Sequence, residues 1–302
     1  MKYLPPLLFI LLFNSLLYSQ QKKTASTKVD SVDYYIQLAS FNLKINNYQN
    51  ALESSQNAIE FSQKKGDKAQ EANAYTFLGS IYFELKKYDD AIETYVRSIS
   101  LYNDLEPSTE QAYCYYNLGL CYMEKGKYGV AEIYFDKANA IYEIIEIPDA
   151  KELLNLQKGI LYKAKGKTQL ASSIFNTIIA KPDNDDSFKT KAEALYQMGT
   201  IEFEAGRSHL ALNYLNRALE LNSRSDNFEQ KSKILKLISE VYEMMMDIDN
   251  SFLYLKKHLV LKDSIIQLNS KKIGAEAFEK FKESEQMKTI KQKDKENREQ
   301  KN

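Results

Sequence analysis

The sequence predicts an all-α protein, a right-handed α-solenoid of about six helix-turn-helix repeats that is followed by a charged C-terminal helix. Two observations predict this class. Glycine and proline are scarce, with 10 Gly and 5 Pro in 302 residues, whereas folds rich in turns or strands need more of both. Small residues also recur every 40 residues, and the apolar residues around them keep the three- and four-residue spacings of one helical face.

The first 20 residues precede the repeats and differ from the rest of the chain. Lys2 is their only charge, and a mainly apolar run extends from Leu7 to Leu17. A short positive start before about ten apolar residues is typical of a secretory signal peptide, whereas a membrane-spanning helix needs roughly 20. We therefore expect residues 1–20 to be a signal peptide and the protein to be exported, either periplasmic or secreted. The alternative is a membrane tether formed by this segment if it is not cleaved.

Each repeat is predicted to be two helices joined by a short turn. Two columns of small residues lie 12 positions apart: Ala39, Gly79, Gly119, Gly159, Gly199 and Ser239 in the first, and Ala51, Ala91, Ala131, Ala171, Ala211 and Ser251 in the second. Gly126, Gly166 and Gly206 fall between the columns, where the end of a helix favours a left-handed residue. A small residue lets the partner helix approach closely, and stacked helix pairs bury a continuous core.

These columns resemble the tetratricopeptide repeat, which has a Leu-Gly pair and a Tyr in its first helix, then Ala, an aromatic residue and Ala in its second. The second and third repeats match best, and the third reads Tyr115, Leu118, Gly119, Tyr122, Ala131, Phe135 and Ala138. The resemblance implies six repeats over residues 27–266. Family members commonly have a period of about 34 residues, so the 40-residue period resembles the long-helix subset found in signalling adaptors and peptide receptors.

The resemblance also implies a binding surface, because first-helix positions that do not point into the core line a concave groove in this family. The matching positions here are Asn73, Phe77, Phe83, Tyr113, Tyr116, Asn117, Met123, Gln157, Tyr196, Gln197 and Phe203. If they are exposed, they form an apolar groove with amide edges, suited to a helix or an extended peptide. The alternative is that the longer helices cover many of them by packing. The family's clamp for acidic C-terminal peptides is disfavoured, since its Lys and Asn positions hold Thr76, Ser80, Tyr116 and Leu120.

The sequence contains no constellation that indicates catalysis, a cofactor or a metal. It has no Gly-rich phosphate loop, no Gly-x-Ser-x-Gly elbow and no His-Glu-x-x-His helix. His209 and His258 are far apart in sequence, and Cys114 and Cys121 are separated by about 10.5 Å of helical rise, too far for a disulfide. We therefore expect a protein that is not an enzyme. Lys+Arg and Asp+Glu both number 41, and this neutral balance argues against nucleic acid as a partner.

Residues 267–302 form a charged segment that we expect to be a helical or disordered tail. Its apolar residues are sparse and keep no sustained heptad, so a coiled coil is only weakly supported. One interpretation is a solvated helix that frays. The other is a helix that covers the last repeat and extends towards a partner, which makes the tail a candidate for homo-oligomer contacts.

Binding is the function class that these observations favour. The first hypothesis is a non-catalytic scaffold or adaptor that binds a protein or peptide in the concave groove, outside the cytoplasm. The alternative is the sensor segment of a signalling system, a histidine kinase or a transcription regulator, whose membrane and output domains are absent from this chain. This alternative follows from the resemblance, since bacterial signalling proteins often combine a signal sequence, such repeats and a charged juxtamembrane helix with a membrane span and a kinase or DNA-binding domain.

Overall fold

A computed structural model describes residues 32–45, 47–103, 105–182, 188–224 and 227–267. The predicted signal peptide and the tail from residue 268 lie outside the described residues, so both stay predictions. Within the described ranges the chain consists of helices and the turns between them, without strands. The predicted all-α class is therefore confirmed.

The helices alternate as first and second members of successive pairs. The first members are α1 (Val32–Lys44), α3 (Lys68–Glu84), α5 (Thr109–Glu124), α7 (Pro148–Ala164), α9 (Phe188–Glu204) and α11 (Phe228–Met244). The second members are α2 (Tyr48–Lys65), α4 (Tyr88–Tyr102), α6 (Tyr128–Ile144), α8 (Thr168–Ile179), α10 (Ser208–Asn222) and α12 (residues 248–267). The second members from α2 to α10 begin at residues 48, 88, 128, 168 and 208, at intervals of 40 residues.

The turn within each of the second to sixth pairs is built around a left-handed residue. Gly126, Gly166 and Gly206 have φ of 69°, 73° and 74°, which glycine adopts at no steric cost. In the third pair, the N–H of Gly126 donates to the carbonyl of Met123 at 2.9 Å and so closes the end of α5. The prediction that these glycines end the first helices is confirmed.

The junctions between pairs use side-chain caps or proline. Asp67 precedes α3 and accepts a hydrogen bond from the N–H of Gln70 at 3.0 Å, and Ser108 caps α5 in the same way through Gln111. Each cap satisfies a backbone donor that the first turn of a helix leaves unpaired. Pro148 begins α7, where the missing N–H is not needed.

The described residues form two compact units, of which the first ends at Asn227 and the second begins at Phe228. The first unit contains α1 to α10, and one cluster of buried apolar residues extends from α3 to α9. In the second unit, Ser239 of α11 donates to the carbonyl of Ser251 of α12 at 2.8 Å, and the rings of Tyr242 and Tyr254 stack with centroids 5.6 Å apart. Among the described helices, none combines the length and the apolar character that crossing a bilayer requires.

Candidate functional site

The first helices of the second to fifth pairs carry all of the predicted groove residues. They are Asn73, Phe77 and Phe83 on α3; Tyr113, Tyr116, Asn117 and Met123 on α5; Gln157 on α7; and Tyr196, Gln197 and Phe203 on α9. All four helices belong to the first unit. The register therefore places these residues on corresponding helices of consecutive repeats.

The structure divides the predicted groove residues by accessibility. Six of them are at most 9% exposed: Phe83, Tyr113, Tyr116, Asn117, Met123 and Gln157. The other five, Asn73, Phe77, Tyr196, Gln197 and Phe203, are half-buried. The alternative interpretation, that packing covers many of these positions, therefore applies to the predicted groove residues on α5 and α7. Accessible predicted residues remain on α3 and α9.

Aromatic contacts hold the buried residues on α5. The rings of Tyr113 and Tyr116 stack with centroids 6.4 Å apart, and Tyr116 also contacts Phe135 of α6 at 5.9 Å. The side-chain amide of Asn117 donates to the carbonyl of Tyr113 at 2.9 Å. Aromatic pairs at such distances add to the free energy gained by burial. These side chains are therefore part of the core rather than a free surface.

A buried polar network lies beside this cluster, between α3, α4 and α5. The hydroxyl of Thr76 is 2.8 Å from the hydroxyl of Ser98 and 2.9 Å from the thiol of Cys114. The hydroxyl of Ser80 is 3.1 Å from that of Tyr95. Each of these residues is at most 3% exposed, and their mutual hydrogen bonds offset the cost of burying polar groups.

Sequence reasoning missed this network, although a signal for it was present. Thr76 and Ser80 occupy positions that hold Tyr116 and Leu120 in the next repeat. Hydroxyl side chains in two positions of one repeat, where the neighbouring repeat has large side chains, indicate partners across the helix interface. The partners themselves, Ser98 and Tyr95, lie on another helix and could not be paired from sequence alone.

Burial keeps the phenols and thiols of this region protonated. It raises the pKa of Tyr113 and of Cys114 to about 12 and moves the pKa of Tyr116 and of Cys121 further upward. Burial opposes the charged form because it removes water from around the anion. The site therefore offers neither a thiolate nor a phenolate nucleophile near neutral pH.

The predicted groove residues on α9 are accompanied by polar and charged side chains. The amide of Gln197 donates to Glu193 on the same helix at 2.8 Å. Lys163 of α7 lies 3.5 Å from Glu204 of α9, and burial lowers the pKa of Lys163. Glu204 directly follows Phe203 in sequence, so α9 carries aromatic, amide and charged side chains near its C-terminal end.

The described residues contain no group of three or more His, Cys, Asp or Glu side chains that could hold a metal ion. His209 is exposed, and Nδ1 of His258 donates to the carbonyl of Ser232 at 2.8 Å. Each histidine therefore has an ordinary structural environment.

The helical-repeat architecture defines the class of protein, and two family models identify the repeat. Both are described as tetratricopeptide repeat, and they match residues 30–104 in one case and residues 112–143 and 192–225 in the other. The chain therefore contains tetratricopeptide repeats. A comparison with curated protein sequences gave no match.

Several solved structures share the fold of this chain. The apo form of the quorum sensor NprR from B. thuringiensis has a TM-score of 0.63 at 13% identity, over 83% of this chain and 70% of that one. Aspartyl phosphate phosphatase F from Bacillus subtilis has a TM-score of 0.60 at 13% identity, over 79% of this chain and 61% of that one. The Rap conjugation gene regulator of plasmid pLS20, solved in complex with the Phr* peptide, has a TM-score of 0.56 at 17% identity, over 89% and 87%. At these identities the likeness concerns the fold alone.

Proposed function

We propose that this chain is a non-catalytic scaffold that binds a protein or peptide segment along the first helices of its first unit, outside the cytoplasm. One observation carries the proposal. The accessible members of the row, Asn73 and Phe77 on α3 and Tyr196, Gln197 and Phe203 on α9, are all aromatic or amide side chains. Uncharged residues of this kind that stay partly exposed on the first helices of two pairs favour a binding surface over a solvated face.

The α9 end gives this surface its chemistry. Tyr196 and Phe203 are seven residues apart and therefore lie on one face of the helix. The amide of Gln197 lies next to Tyr196 in sequence, and the pair of Lys163 and Glu204 brings both signs of charge. The occupant we propose is a peptide segment with an apolar side chain for the two rings and main-chain groups for the amide. The peptide complex of the pLS20 regulator, which shares the fold, supports this choice.

A direct binding assay tests the proposal. A peptide library displayed on phage is selected against the chain from Gln21 onward, and the affinity of each selected peptide is measured by fluorescence anisotropy. We expect Phe203→Ala and Tyr196→Ala each to weaken binding by roughly tenfold, the effect of losing about 1.4 kcal/mol.

Ile133→Ala and Ile144→Ala are matched controls, because both residues are exposed apolar side chains on α6, a second helix. We expect both controls to bind with wild-type affinity. Selected peptides that bind the α9 variants as tightly as the wild type would place the binding surface elsewhere and overturn the proposal.

The sensor alternative shares this binding step and adds an output outside the chain. The fold of NprR, described as a quorum sensor, favours it. The coding sequence downstream of Asn302 tests it, because a sensor requires an in-frame apolar segment of about 20 residues and an output domain beyond it. A stop codon directly after Asn302 excludes this alternative in its single-chain form and leaves the scaffold proposal intact.

A further inference from the structure

The last described helix, α12, exposes a row of large apolar side chains. Ile248, Phe252, Leu255, Leu259 and Ile266 are all exposed, and Phe252 is the most exposed at 66%. Their spacings of four, three, four and seven residues place them on a single helical face. Another face of the helix, which includes Tyr254 and His258, contacts α11 through Tyr242 and Ser232. The exposed row lies beside this contact face and consists of side chains that the packing on α11 leaves exposed.

The position of Leu255 is covered in the first unit. Phe135 of α6 and Phe175 of α8 occupy the position of Leu255 and are completely buried, whereas Leu255 is 39% exposed. These rings face glycines of their own pair, and the next pair adds further cover, because α4 packs on α5, α6 on α7 and α8 on α9. The row on α12 thus includes positions that the first unit buries, left accessible in the described part of the chain.

We propose that this row, together with Lys262, is a self-association seam through which two copies of the chain pair by their α12 helices. Its spacing is that of the a and d positions of a heptad, with Ile248, Leu255 and Lys262 at d and Phe252, Leu259 and Ile266 at a. Such a seam packs against another helix of the same kind by knobs-into-holes contacts. A second copy presents the same face, so the pair closes by two-fold symmetry.

The length of α12 also favours a second copy over a further repeat. Helices α2, α4, α6, α8 and α10 have 18, 15, 17, 12 and 15 residues, whereas α12 is helical over residues 248–267. That length corresponds to about 30 Å of helix. The helix therefore runs past the point at which those helices turn into the next pair.

Charge indicates that the two copies run antiparallel. A parallel pair in register would place the two Lys262 ammonium groups opposite each other in the seam, which is unfavourable. An antiparallel pair can instead place Lys256 of one copy beside Asp263 of the other, at the flanking e positions. The same alignment sets Leu255 beside Ile266 and Leu259 beside the aliphatic stem of Lys262. Both Lys256 and Asp263 are exposed.

Analytical ultracentrifugation of the chain from Gln21 onward tests the seam. We expect twice the monomer mass at micromolar concentration for the wild type and the monomer mass for Phe252→Asp/Leu259→Asp. The matched control is Leu253→Asp/Val260→Asp, because these two residues are exposed apolar side chains of the same helix that lie off the seam. We expect this control to remain dimeric.

Circular dichroism of both variants checks that α12 stays helical. If the seam variant loses helicity, Leu259→Ala replaces it and should weaken the dimer at least tenfold.

Further measurements distinguish a second copy of the chain from other occupants of this face. A wild-type chain that is monomeric at about 100 µM overturns the proposal, as does equal loss of the dimer in the seam and control variants. If the full chain is monomeric and truncation after Gln267 creates a dimer, the face is covered by the chain's own residues 268–302. If the wild type is monomeric but sediments with neutral phospholipid vesicles, the face binds membranes instead.

Disulfide trapping tests the orientation. Under mild oxidation, we expect Leu255→Cys/Ile266→Cys to form a covalent dimer and Leu255→Cys alone to remain uncrosslinked. The native Cys114 and Cys121 are buried, so the wild type serves as the background. Efficient crosslinking of the single Leu255→Cys variant would show a parallel pair and overturn the antiparallel assignment.

Discussion

A Cβ atom on Gly119 would lie 2.4 Å from Cδ1 of Phe135, so the aromatic ring fills the space that any side chain at position 119 would need. The same relationship links Gly79 with Tyr95 and Gly159 with Phe175. The two helices of a pair thus approach closely because one helix carries no side chain where the other carries a ring. This contact explains why glycine and an aromatic residue recur together in the repeats.

The change Gly119→Ala should destabilise the protein. Alanine favours a helix interior over glycine by about 1 kcal/mol, but the new methyl group must displace a completely buried ring, which costs roughly 1–3 kcal/mol. We expect a net loss of up to about 2 kcal/mol in the free energy of unfolding, measured by urea denaturation.

The control for this change is Gly129→Ala, because a Cβ atom on Gly129 would meet nothing within 4 Å. This variant should keep or slightly raise the stability. Equal stabilities for the two variants would show that Phe135 moves aside without cost, contrary to the packing argument.

The repeat register was predictable from sequence because it depends on residue size and period alone. The column of Gly79, Gly119 and Gly159 could be identified without knowing which ring each glycine faces. The burial of Tyr116 and Gln157 could not be predicted in this way, because periodicity shows which side of a helix a residue lies on and not how much space the neighbouring side chains leave. Likewise, the accessible row on α12 follows from what packs against the helix rather than from its own sequence.

The side chain of Glu132 should make the stability of the first unit depend on pH in the acidic range. Glu132 of α6 accepts a hydrogen bond from the hydroxyl of Tyr162 of α7 at 2.8 Å and also pairs with Lys165. The hydrogen bond from Lys165 is the main cause that lowers the pKa of Glu132, and the bond from Tyr162 adds to it. A carboxyl group whose pKa is lower in the folded state stabilises that state above its unfolded pKa of about 4.3, and this contribution is lost as the pH falls below it.

Urea denaturation between pH 6 and pH 3 measures this contribution. We expect Glu132→Gln to be less stable than the wild type at pH 6 and the difference to shrink towards pH 3, because glutamine does not titrate. The control is Glu220→Gln, which changes an exposed carboxyl group on α10 and should follow the wild type throughout. A difference between Glu132→Gln and the wild type that is constant with pH would assign the effect to packing instead of charge.

The first 20 residues should direct export. When the full chain is expressed in a Gram-negative host, we expect the protein in the periplasmic fraction and an N-terminal sequence that begins near Gln21, because the apolar run from Leu7 to Leu17 has the length of a signal peptide. Deleting residues 2–20 should retain the protein in the cytoplasm. Recovery of the full-length chain in the membrane fraction would instead support an uncleaved tether.

The thiol of Cys114 should make the protein lose stability at alkaline pH. Burial raises its pKa from 9.0 to about 12 in the folded state, and the hydrogen bonds with Ser98 and Thr76 lower the pKa by less than burial raises it. A thiol whose pKa is raised by folding contributes its full stabilisation below the unfolded pKa and loses it as the pH rises from about 9 towards 12, because the unfolded state releases the proton first.

The change Cys114→Ser can keep the contacts with Thr76 and Ser98 and removes a group that titrates in this range. Between pH 8 and pH 11 the urea midpoint of the wild type should therefore fall more steeply than that of Cys114→Ser. Tyrosines and lysines titrate in both proteins, so the difference between the two midpoints isolates the thiol, and parallel curves would mean that the thiol is not desolvated.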